Sequence, residues 1–285
     1  MTDVRARTVL RLPPRGTLLV CTDLHGHLGD FWRLRELFLA AEAAGELPVL
    51  LFTGDLIHGP TADLEDWPTN LGDPYPDQSA ELLEGLLELR RAFPGRVECL
   101  LGNHEHSHVG GPHTPKFWPD ETQHFETLVG ADRAARYRRL FRSFPLVALS
   151  PCGVSFTHGA PHVALQNFAE LERVDYRGYE HLDFATMVQV SPLGRLLWCR
   201  SCPSPVARRF LAVLSSVGPA QRVVVFGHDI VEGGYQRIGE EQLQLSSSFG
   251  VARARKYYLR LDLGARYERV EDLREGVELR RLYDD

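Results

Sequence analysis

Five short apolar segments of this chain each run directly into a polar residue that can bind a metal or transfer a proton. The segments are TLLVCTD, PVLLFTGD, RVECLLGN, GVSFTHG and RVVVFGH. Their lengths and their branched residues are typical of buried strands. Residues 28–45 and 79–93, which lie between the first three segments, carry apolar side chains at helical spacing. Because strands that alternate with helices form parallel β-α-β units, this order predicts an α/β fold.

The two helical patterns have recognisable ends. Residues 28–45 end at Gly45, and residues 79–93 begin at Ser79, a plausible N-cap. The apolar face of the first helix consists of Phe31, Leu34, Phe38 and Ala41.

The remainder of the chain continues the mixed pattern. Residues 131–144 predict a basic helix, 146–150 and 153–159 a hairpin-like pair of strands, and 181–190 and 204–217 further helices. Short strand-like pieces follow from residue 233 to about 282. The stretch 106–130 is rich in Gly, Pro and His, which predicts a long loop of the kind that is often functional. We therefore predict one domain, residues 1–285, with mixed sheets and helices packed outside.

Composition excludes several classes of partner. A net charge of −6 and a pI of about 6.1 do not favour nucleic acid. No apolar run reaches the ~20 residues of a membrane helix, and the first residues lack the apolar core of a signal peptide. Five cysteines at irregular spacing do not indicate a disulfide framework, so we predict a cytoplasmic protein. Cys199 and Cys202 have the spacing of a redox or zinc half-site, but reduced thiols in or near the core are the favoured interpretation.

The polar residues at the strand ends predict one shared site, because ligands of open α/β sheets lie beyond the carboxyl ends of the strands. A single Asp-x-His or Gly-Asp is more often a turn or cap, whereas five such fragments in order indicate a binding site. Oxygen and imidazole ligands without thiolate favour manganese, iron or zinc. They exceed what one open catalytic metal needs, so we predict two ions bridged by Asp55.

The same fragments resemble the motifs of a known superfamily. DLHGH, GDLIHGP, GNHE, THGAP and FGHDIVEGGYQ resemble, in order, those of the calcineurin-like metallophosphoesterases, and most closely the phosphoprotein phosphatase (serine/threonine phosphatase) branch. The likeness spans about residues 17 to 250 and includes LLW at 196–198. Ile230 stands where many nucleases and phosphodiesterases of the superfamily have the second histidine of Gly-His-x-His, which also favours the phosphatase branch.

The resemblance implies a fold and a set of roles. The fold is a four-layer α/β arrangement, with two mixed β-sheets packed as a sandwich, flanking helices, and two divalent metal ions at one edge. By position, Asp23 and His25 would bind the first metal, Asp55 would bridge, and Asn103, His158 and His228 would bind the second. His104 would be the general acid that protonates the leaving group, and the nucleophile would be a water activated by both metals. Manganese is the favoured metal, with iron or zinc as alternatives.

The second motif departs from the family pattern. The family has Gly-Asp-x-x-Asp-Arg-Gly, whereas residues 54–60 here read GDLIHGP, one residue shorter and without the arginine that clamps phosphate. His58 replaces the acid that steadies the catalytic histidine. We predict Arg200 and His58 as substitute phosphate contacts.

Further polar residues of the same region have predicted roles outside the ligand set. Glu105 is predicted to hold the turn. His106, His108, His113 and His124 either line the site, bind substrate or, as the favoured interpretation, lie on the surface. The five arginines of residues 131–144 are predicted to form a solvated face.

Three functions are compatible with these features. The first is a metal-dependent phosphomonoester hydrolase, a protein phosphatase acting on phosphoserine or phosphothreonine, with phosphotyrosine not excluded. The second is a small-molecule phosphoesterase such as a symmetric dinucleoside tetraphosphate hydrolase, which shares the Gly-Pro seen at Gly59-Pro60. The third is a non-enzymatic scaffold that retains the metal site. The predicted partner is thus a phosphoprotein or a small phosphate ester.

Overall fold

A computed structural model describes residues 7–61 and 64–283. Its strands are β1 (Val9–Arg11), β2 (Thr17–Cys21), β3 (Val49–Phe52), β4 (Val97–Cys99), β5 (Val147–Leu149), β6 (Val154–Phe156), β7 (Val223–Phe226), β8 (Tyr235–Ile238), β9 (Gln242–Leu245), β10 (Tyr257–Asp262) and β11 (Leu279–Arg281). Its α-helices are α1 (Leu28–Ala43), α2 (Ser79–Ala92), α3 (Asn103–His106), α4 (Glu121–Val129), α5 (Ala131–Arg142), α6 (Phe168–Glu172), α7 (Phe184–Val190), α8 (Pro192–Trp198) and α9 (Ser204–Ser215). Short 3-10 helices occupy Leu64–Asp66, Thr69–Leu71, Arg253–Arg255 and Val270–Asp272.

The strands form two mixed sheets. The described part of one sheet has the order β1-β5-β6-β7-β9-β8, and that of the other β11-β10-β2-β3-β4. In the second sheet, β2, β3 and β4 are parallel neighbours, with Val20 opposite Leu51 and Phe52 opposite Cys99. In the first sheet, β6 and β7 are parallel, with Phe156 opposite Val225. The carboxyl ends of these five strands carry the predicted site residues.

The sheets pack face to face, as the alternation of side chains along each strand requires. Leu18 and Val20 of β2 belong to an apolar cluster that also contains Val225 of β7 and Leu243 of β9, so this cluster lies between the sheets. Leu19 and Cys21, on the opposite face of β2, pack in the cluster that contains residues of α1 and α2. The predicted α/β sandwich of two mixed sheets with flanking helices is confirmed.

Most of the predicted elements are present. The first helix begins at Leu28 and ends at Ala43, just before the predicted stop at Gly45, and buries the predicted apolar face, consisting of Phe31, Leu34, Phe38 and Ala41. The strands on either side of Pro151 pair antiparallel as a hairpin. The thiols of Cys199 and Cys202 are free. No helix within the described ranges is long and apolar enough to cross a membrane.

The prediction of Ser79 as an N-cap is wrong. Ser79 is the first residue of α2, and Gln78 precedes it without a side-chain cap. The backbone N–H of Ser79 and its hydroxyl both donate to Asp77 Oδ1, at 3.0 and 2.5 Å. Asp77 therefore accepts the bonds that organise this helix start, since its carboxylate is a stronger acceptor than a hydroxyl.

The prediction of a loop over the whole of residues 106–130 is also wrong in its second half. Glu121–Val129 form α4, whose N-cap Asp120 accepts a hydrogen bond from the backbone N–H of Gln123. Phe125 and Val129 bury the apolar face of this helix. The irregular part is confined to residues 107–120.

The arginines of helix α5 form a solvated face, as predicted. Arg133, Arg139 and Arg142 are exposed. Arg136 and Arg138 are half-buried and pair with Glu84 and Glu126.

Candidate dinuclear metal centre

Backbone hydrogen bonds hold the five strand ends together. The N–H of His25 donates to Asp55 O at 2.9 Å, which joins the turns after β2 and β3. The N–H of Gly227 donates to His158 O at 2.9 Å and joins the ends of β6 and β7. The two sheets meet where the backbone N–H of His228 lies 3.1 Å from both carboxylate oxygens of Asp23. Residues from both sheets thus line one buried site.

Asp55 lies at the centre of this site. Its Oδ2 is 3.7 Å from His25 Nε2, 3.4 Å from His158 Nε2 and 4.0 Å from His104 Nε2. Its Oδ1 accepts the backbone N–H of His104 at 3.1 Å, which leaves Oδ2 directed at the histidine rings. On one side of Asp55, His158 Nε2 is 2.8 Å from Asn103 Oδ1 and 3.2 Å from His228 Nδ1. A carboxylate between two groups of nitrogen and oxygen donors is placed as a bridge would be.

Carbonyl groups orient the ligand rings. His25 Nδ1 is 3.1 Å from Ile57 O and 3.0 Å from His58 O, and His158 Nδ1 is 3.0 Å from Thr53 O. An Nδ1–H that donates to a carbonyl leaves the Nε2 lone pair free for a metal, which is the usual arrangement for ligating histidines. Two groups of possible ligands share Asp55, and the atoms within each group lie within 4.8 Å of one another. The groups are His25, Asp55 and His104, and Asp55, His158 and His228.

Burial disfavours the charged forms of the carboxylate and histidine side chains at this site when no cation is bound. Desolvation raises the pKa of Asp23 and the pKa of Asp55, each to about 7. It also lowers the pKa of His25 and the pKa of His228 well below the usual histidine range. A bound divalent cation favours ionised carboxylates and neutral imidazoles, which are the ligand forms. The donor set and its ring orientations therefore fit two divalent ions.

The backbone is strained at the site. Six non-glycine residues within the described ranges have positive φ, and five of them lie here: Asp23, His25, Asp55, His58 and His228. Such conformations cost of order 1–3 kcal/mol each and persist where the surrounding structure imposes them. Asp23, His25, Asp55 and His228 turn the chain sharply just after a strand, and His58 does so further along the turn after β3.

Gly54 and Gly102 allow the ends of β3 and β4 to come into contact. A Cβ on Gly54 would lie 2.7 Å from Gly102 Cα, and a Cβ on Gly102 would lie 2.4 Å from the backbone nitrogen of Asp55. Gly54 also has a φ of 110°, which L side chains rarely adopt. The glycines of GD and GN are therefore needed for close backbone approach beside Asp55 and Asn103.

Glu105 holds this turn, as predicted. Its carboxylate accepts backbone N–H groups from Leu56 at 2.7 Å, Asp55 at 2.9 Å and Gly102 at 3.1 Å. The side chain is fully buried. Glu105 thus binds the backbone that carries Asp55 and does not face the ligand groups.

Removal of this carboxylate should destabilise the protein. Glu105→Ala leaves three buried N–H groups without acceptors, and each unsatisfied group costs about 1–3 kcal/mol. We expect the free energy of unfolding of the metal-free protein to fall by about 3 kcal/mol or more, as measured by denaturant unfolding. Glu232→Ala is the control, because Glu232 is 93% exposed. Equal stability of the two variants would contradict the role given to Glu105.

On the side of its ring that is turned away from Asp55, His104 contacts a row of buried histidines. His104 Nδ1 is 2.9 Å from His58 Nδ1, and His58 Nε2 is 3.0 Å from His108 Nε2. His108 Nδ1 is in turn 3.0 Å from Glu126 Oε1 on α4. Both ring nitrogens of His58 therefore face other histidines, an arrangement that favours a role in holding His104 over direct contact with phosphate.

The favoured surface placement of His106 and His108 is wrong, since both are buried. His106 Nε2 is 2.8 Å from Tyr176 O, and the His108 ring packs 5.5 Å from that of Phe141 on α5. The helices α4 and α5 cover His108, and the segment between α6 and α7 covers His106. His113 is exposed and His124 half-buried.

Two further residues contact the site from the segment after α3. Glu121 Oε2 lies 3.6 Å from His104 Nδ1, is buried, and has no hydrogen-bond partner among the described residues. Lys116 Nζ lies 3.4 Å from His25 Nε2. Arg200 has 72% of its side chain exposed, with Nη1 3.8 Å from Asp229 Oδ1. Sequence reasoning missed Glu121 and Lys116; the one signal for them was the Gly-, Pro- and His-rich composition of their segment.

Comparison with known proteins agrees with this geometry. The sequence profile of the calcineurin-like phosphoesterase family matches residues 16–260. The chain belongs to this family, whose members use a dinuclear divalent metal site. None of the curated protein sequences compared with the chain matches it.

Solved structures show the same fold. A protein serine/threonine phosphatase from Saccharomyces cerevisiae, described as similar to human phosphatase PP5, aligns with a TM-score of 0.56 and 16% identity over 90% of this chain and 76% of its own. A cold-active protein-tyrosine phosphatase of a psychrophilic Shewanella species aligns with a TM-score of 0.58 and 15% identity over 93% and 80% of the two chains. At this identity the likeness concerns the fold.

Proposed function

We propose that this metallophosphoesterase hydrolyses phosphate monoesters as a member of the phosphoprotein phosphatase branch. The proposed substrates are phosphoserine and phosphothreonine proteins, with phosphotyrosine as a further possibility. The observation that carries the proposal is the convergence of the Nε2 atoms of His25, His158 and His104 on Oδ2 of Asp55.

The ligand side chains divide between two ions in this proposal. Two divalent ions bound here would lower the pKa of a shared water and neutralise charge on the phosphoryl group. Asp23 and His25 would hold the first ion, Asp55 would bridge, and Asn103, His158 and His228 would hold the second. Manganese is the proposed metal, with iron and zinc as alternatives, because oxygen and imidazole ligands suit all three.

His104 is proposed as the general acid. Its Nε2 points to Asp55 and the ligand groups, so an Nε2–H there can donate a proton to the leaving-group oxygen. Its backbone N–H is bonded to Asp55 Oδ1, which fixes the ring relative to the bridging carboxylate.

Glu121 is proposed as the acid that steadies His104. The second motif has His58 in place of the family's acid, and the carboxylate of Glu121 reaches the same side of the ring from α4. A carboxylate beside Nδ1 holds the tautomer with a proton on that nitrogen and stabilises the imidazolium, as in other histidine-carboxylate pairs. His58 Nδ1 lies 2.9 Å from the same ring nitrogen of His104 and restricts the ring together with Glu121.

The branch assignment has additional support. GNHE and GHDIVEGGY resemble the phosphatase forms of their motifs, and Ile230 cannot serve as a metal ligand. The two structurally similar proteins named above are a serine/threonine and a tyrosine phosphatase. A cytoplasmic location and a single domain over residues 1–285 stay predictions beside this proposal.

Activity assays test the proposed function. Purified protein supplied with Mn²⁺ is expected to hydrolyse p-nitrophenyl phosphate and phosphopeptides, and to lose both activities when a chelator removes the metal. Matched phosphoserine, phosphothreonine and phosphotyrosine peptides rank the substrates. Absence of hydrolysis of every phosphate ester, with a metal content near zero, would favour the scaffold instead.

One observation favours a small-molecule phosphoesterase as the second candidate. The loop at residues 107–120 reaches the site, since Lys116 contacts His25. A loop at this position narrows access for a protein substrate, and Gly59-Pro60 resembles the second motif of symmetric dinucleoside tetraphosphate hydrolases. Competition between a phosphopeptide and a dinucleoside tetraphosphate separates the two candidates: strong preference for the dinucleotide would reject the protein phosphatase.

A further inference from the structure

Lys116 stands apart from the other cationic residues of this chain. The sequence has 32 lysines and arginines, and Lys116 and Lys256 are the two lysines among them. Lys256 is buried, with its amine 2.5 Å from Asp30 Oδ2. Lys116 is an exposed residue of the loop beside the candidate metal centre. All other lysine-or-arginine positions are arginine. Of the two lysines, Lys256 is buried and paired with a carboxylate, whereas Lys116 lies in a loop beside the site.

The amine of Lys116 is directed at the site without a carboxylate partner. Its Nζ lies 3.4 Å from His25 Nε2, the ring nitrogen that faces Asp55. Within residues 7–61 and 64–283, no carboxylate oxygen lies within the 4.0 Å ion-pair distance of this amine. Asp55, Glu121 and Asp23 attract it over longer distances.

Phe249 supports the amine in this position. Lys116 Nζ lies 4.1 Å from the centroid of the Phe249 ring, within the range of a cation–π contact. The ring of Phe249 is 4.4 Å from that of His25, and its backbone N–H donates to Asp23 O at 3.0 Å. Phe249, which supports the amine of Lys116, therefore contacts two of the proposed ligands, His25 and Asp23.

Charge balance indicates what the amine binds. Two divalent ions outweigh the charge of Asp23 and Asp55, and an ammonium group beside them adds to the excess. A phosphoryl dianion between the ions and the amine removes that repulsion. By the resemblance, the second motif also lacks an arginine that clamps phosphate, which leaves this role open to a cation from elsewhere in the chain.

We propose that Lys116 binds the phosphoryl oxygens of the substrate and replaces the arginine that the second motif lacks. A lysine suits a loop position, because its ammonium is a compact charge whose three donors need no planar alignment. The proposal rests on the proposed phosphoesterase function, since it assigns a residue to the substrate site of that reaction.

Kinetics of matched variants provide the first test. We expect Lys116→Met to lower kcat/KM for p-nitrophenyl phosphate by about 10- to 100-fold and to weaken competitive inhibition by orthovanadate by a similar factor. Lys116→Arg should recover part of both losses, and metal content should stay at the wild-type level. Arg209→Met is the control, because it removes an exposed cation from α9.

Amine labelling provides a second test that does not depend on turnover. Reductive methylation of the Mn²⁺-loaded protein should modify Lys116, and saturating orthovanadate or inorganic phosphate should protect it, as read by peptide mass spectrometry. Lys256 should stay unmodified with and without the anion, because its side chain is 3% exposed and paired with Asp30.

The outcomes separate this inference from the proposed function. If the wild-type protein hydrolyses phosphate esters while Lys116→Met retains full kcat/KM and vanadate affinity, the role of Lys116 is rejected and the function stands. If the wild type hydrolyses none, the function is rejected, and protection of Lys116 by phosphate would still support an anion site. Equal labelling of Lys116 with and without an inhibitory concentration of vanadate overturns the proposal.

Discussion

Asp55→Asn is expected to remove nearly all phosphatase activity together with most of the bound metal. The neutral amide cannot supply the negative charge that two neighbouring cations share, and Oδ2 of Asp55 is the atom that faces His25, His158 and His104. Loss of a residue that hydrogen-bonds to a metal ligand lowers metal affinity or activity by roughly 10- to 100-fold. Loss of the bridging ligand itself should lower both by more. Elemental analysis of the purified variant and kcat with p-nitrophenyl phosphate measure the two effects.

The control for this variant is Asp132→Asn, which makes the same chemical change at an exposed residue of α5. Circular dichroism of both variants checks that the fold is retained. An Asp55→Asn protein with full metal content and full activity would show that the candidate centre is assigned to the wrong residues.

His104→Gln is expected to lower kcat by about 10²- to 10⁴-fold, the usual contribution of a general acid. Metal content should be unchanged, since His104 is not one of the proposed ligands. The loss should be larger for an alkyl phosphate than for p-nitrophenyl phosphate, because the more basic leaving group depends more on protonation. Steady-state kinetics with a series of leaving groups measure this dependence.

His113→Gln is the matched control, because 45% of the His113 side chain is exposed and its ring bonds to Asp120. If the activity lost in His104→Gln were the same for every leaving group, the ring would not act as a proton donor. A fall in metal content equal to that of Asp55→Asn would instead make His104 a ligand.

The fold, and the meeting of the proposed ligand residues at one edge of it, were largely predictable from the sequence. Asp23, Asp55, Asn103, His158 and His228 each follow a short buried strand within a few residues. Because the parallel strands of each sheet end at the same edge, the position of each residue along its strand is sufficient to predict that the residues meet. The packing of α1 was equally predictable, since its apolar side chains recur with the helical period.

The segment after α3 was not predictable in the same way. Its composition suggested an irregular loop over residues 106–130, whereas Phe125 and Val129 pack against the core and form one face of α4. Burial on that face depends on the neighbouring α5, whose contact is set by tertiary packing. His108 was expected on the surface for the same reason, although α5 covers it.

The sequence by itself determined which residues can bind metal, because strand register and the local turns place them at one edge of the sandwich. The tertiary structure decided what surrounds them: Glu121 against His104, His58 between two other histidines, and Lys116 beside His25. Glu121, Lys116 and His108 lie after α3, in a segment outside both sheets, and contact residues at the strand ends. No strand register relates such residues to one another, so only the packed chain specifies their positions.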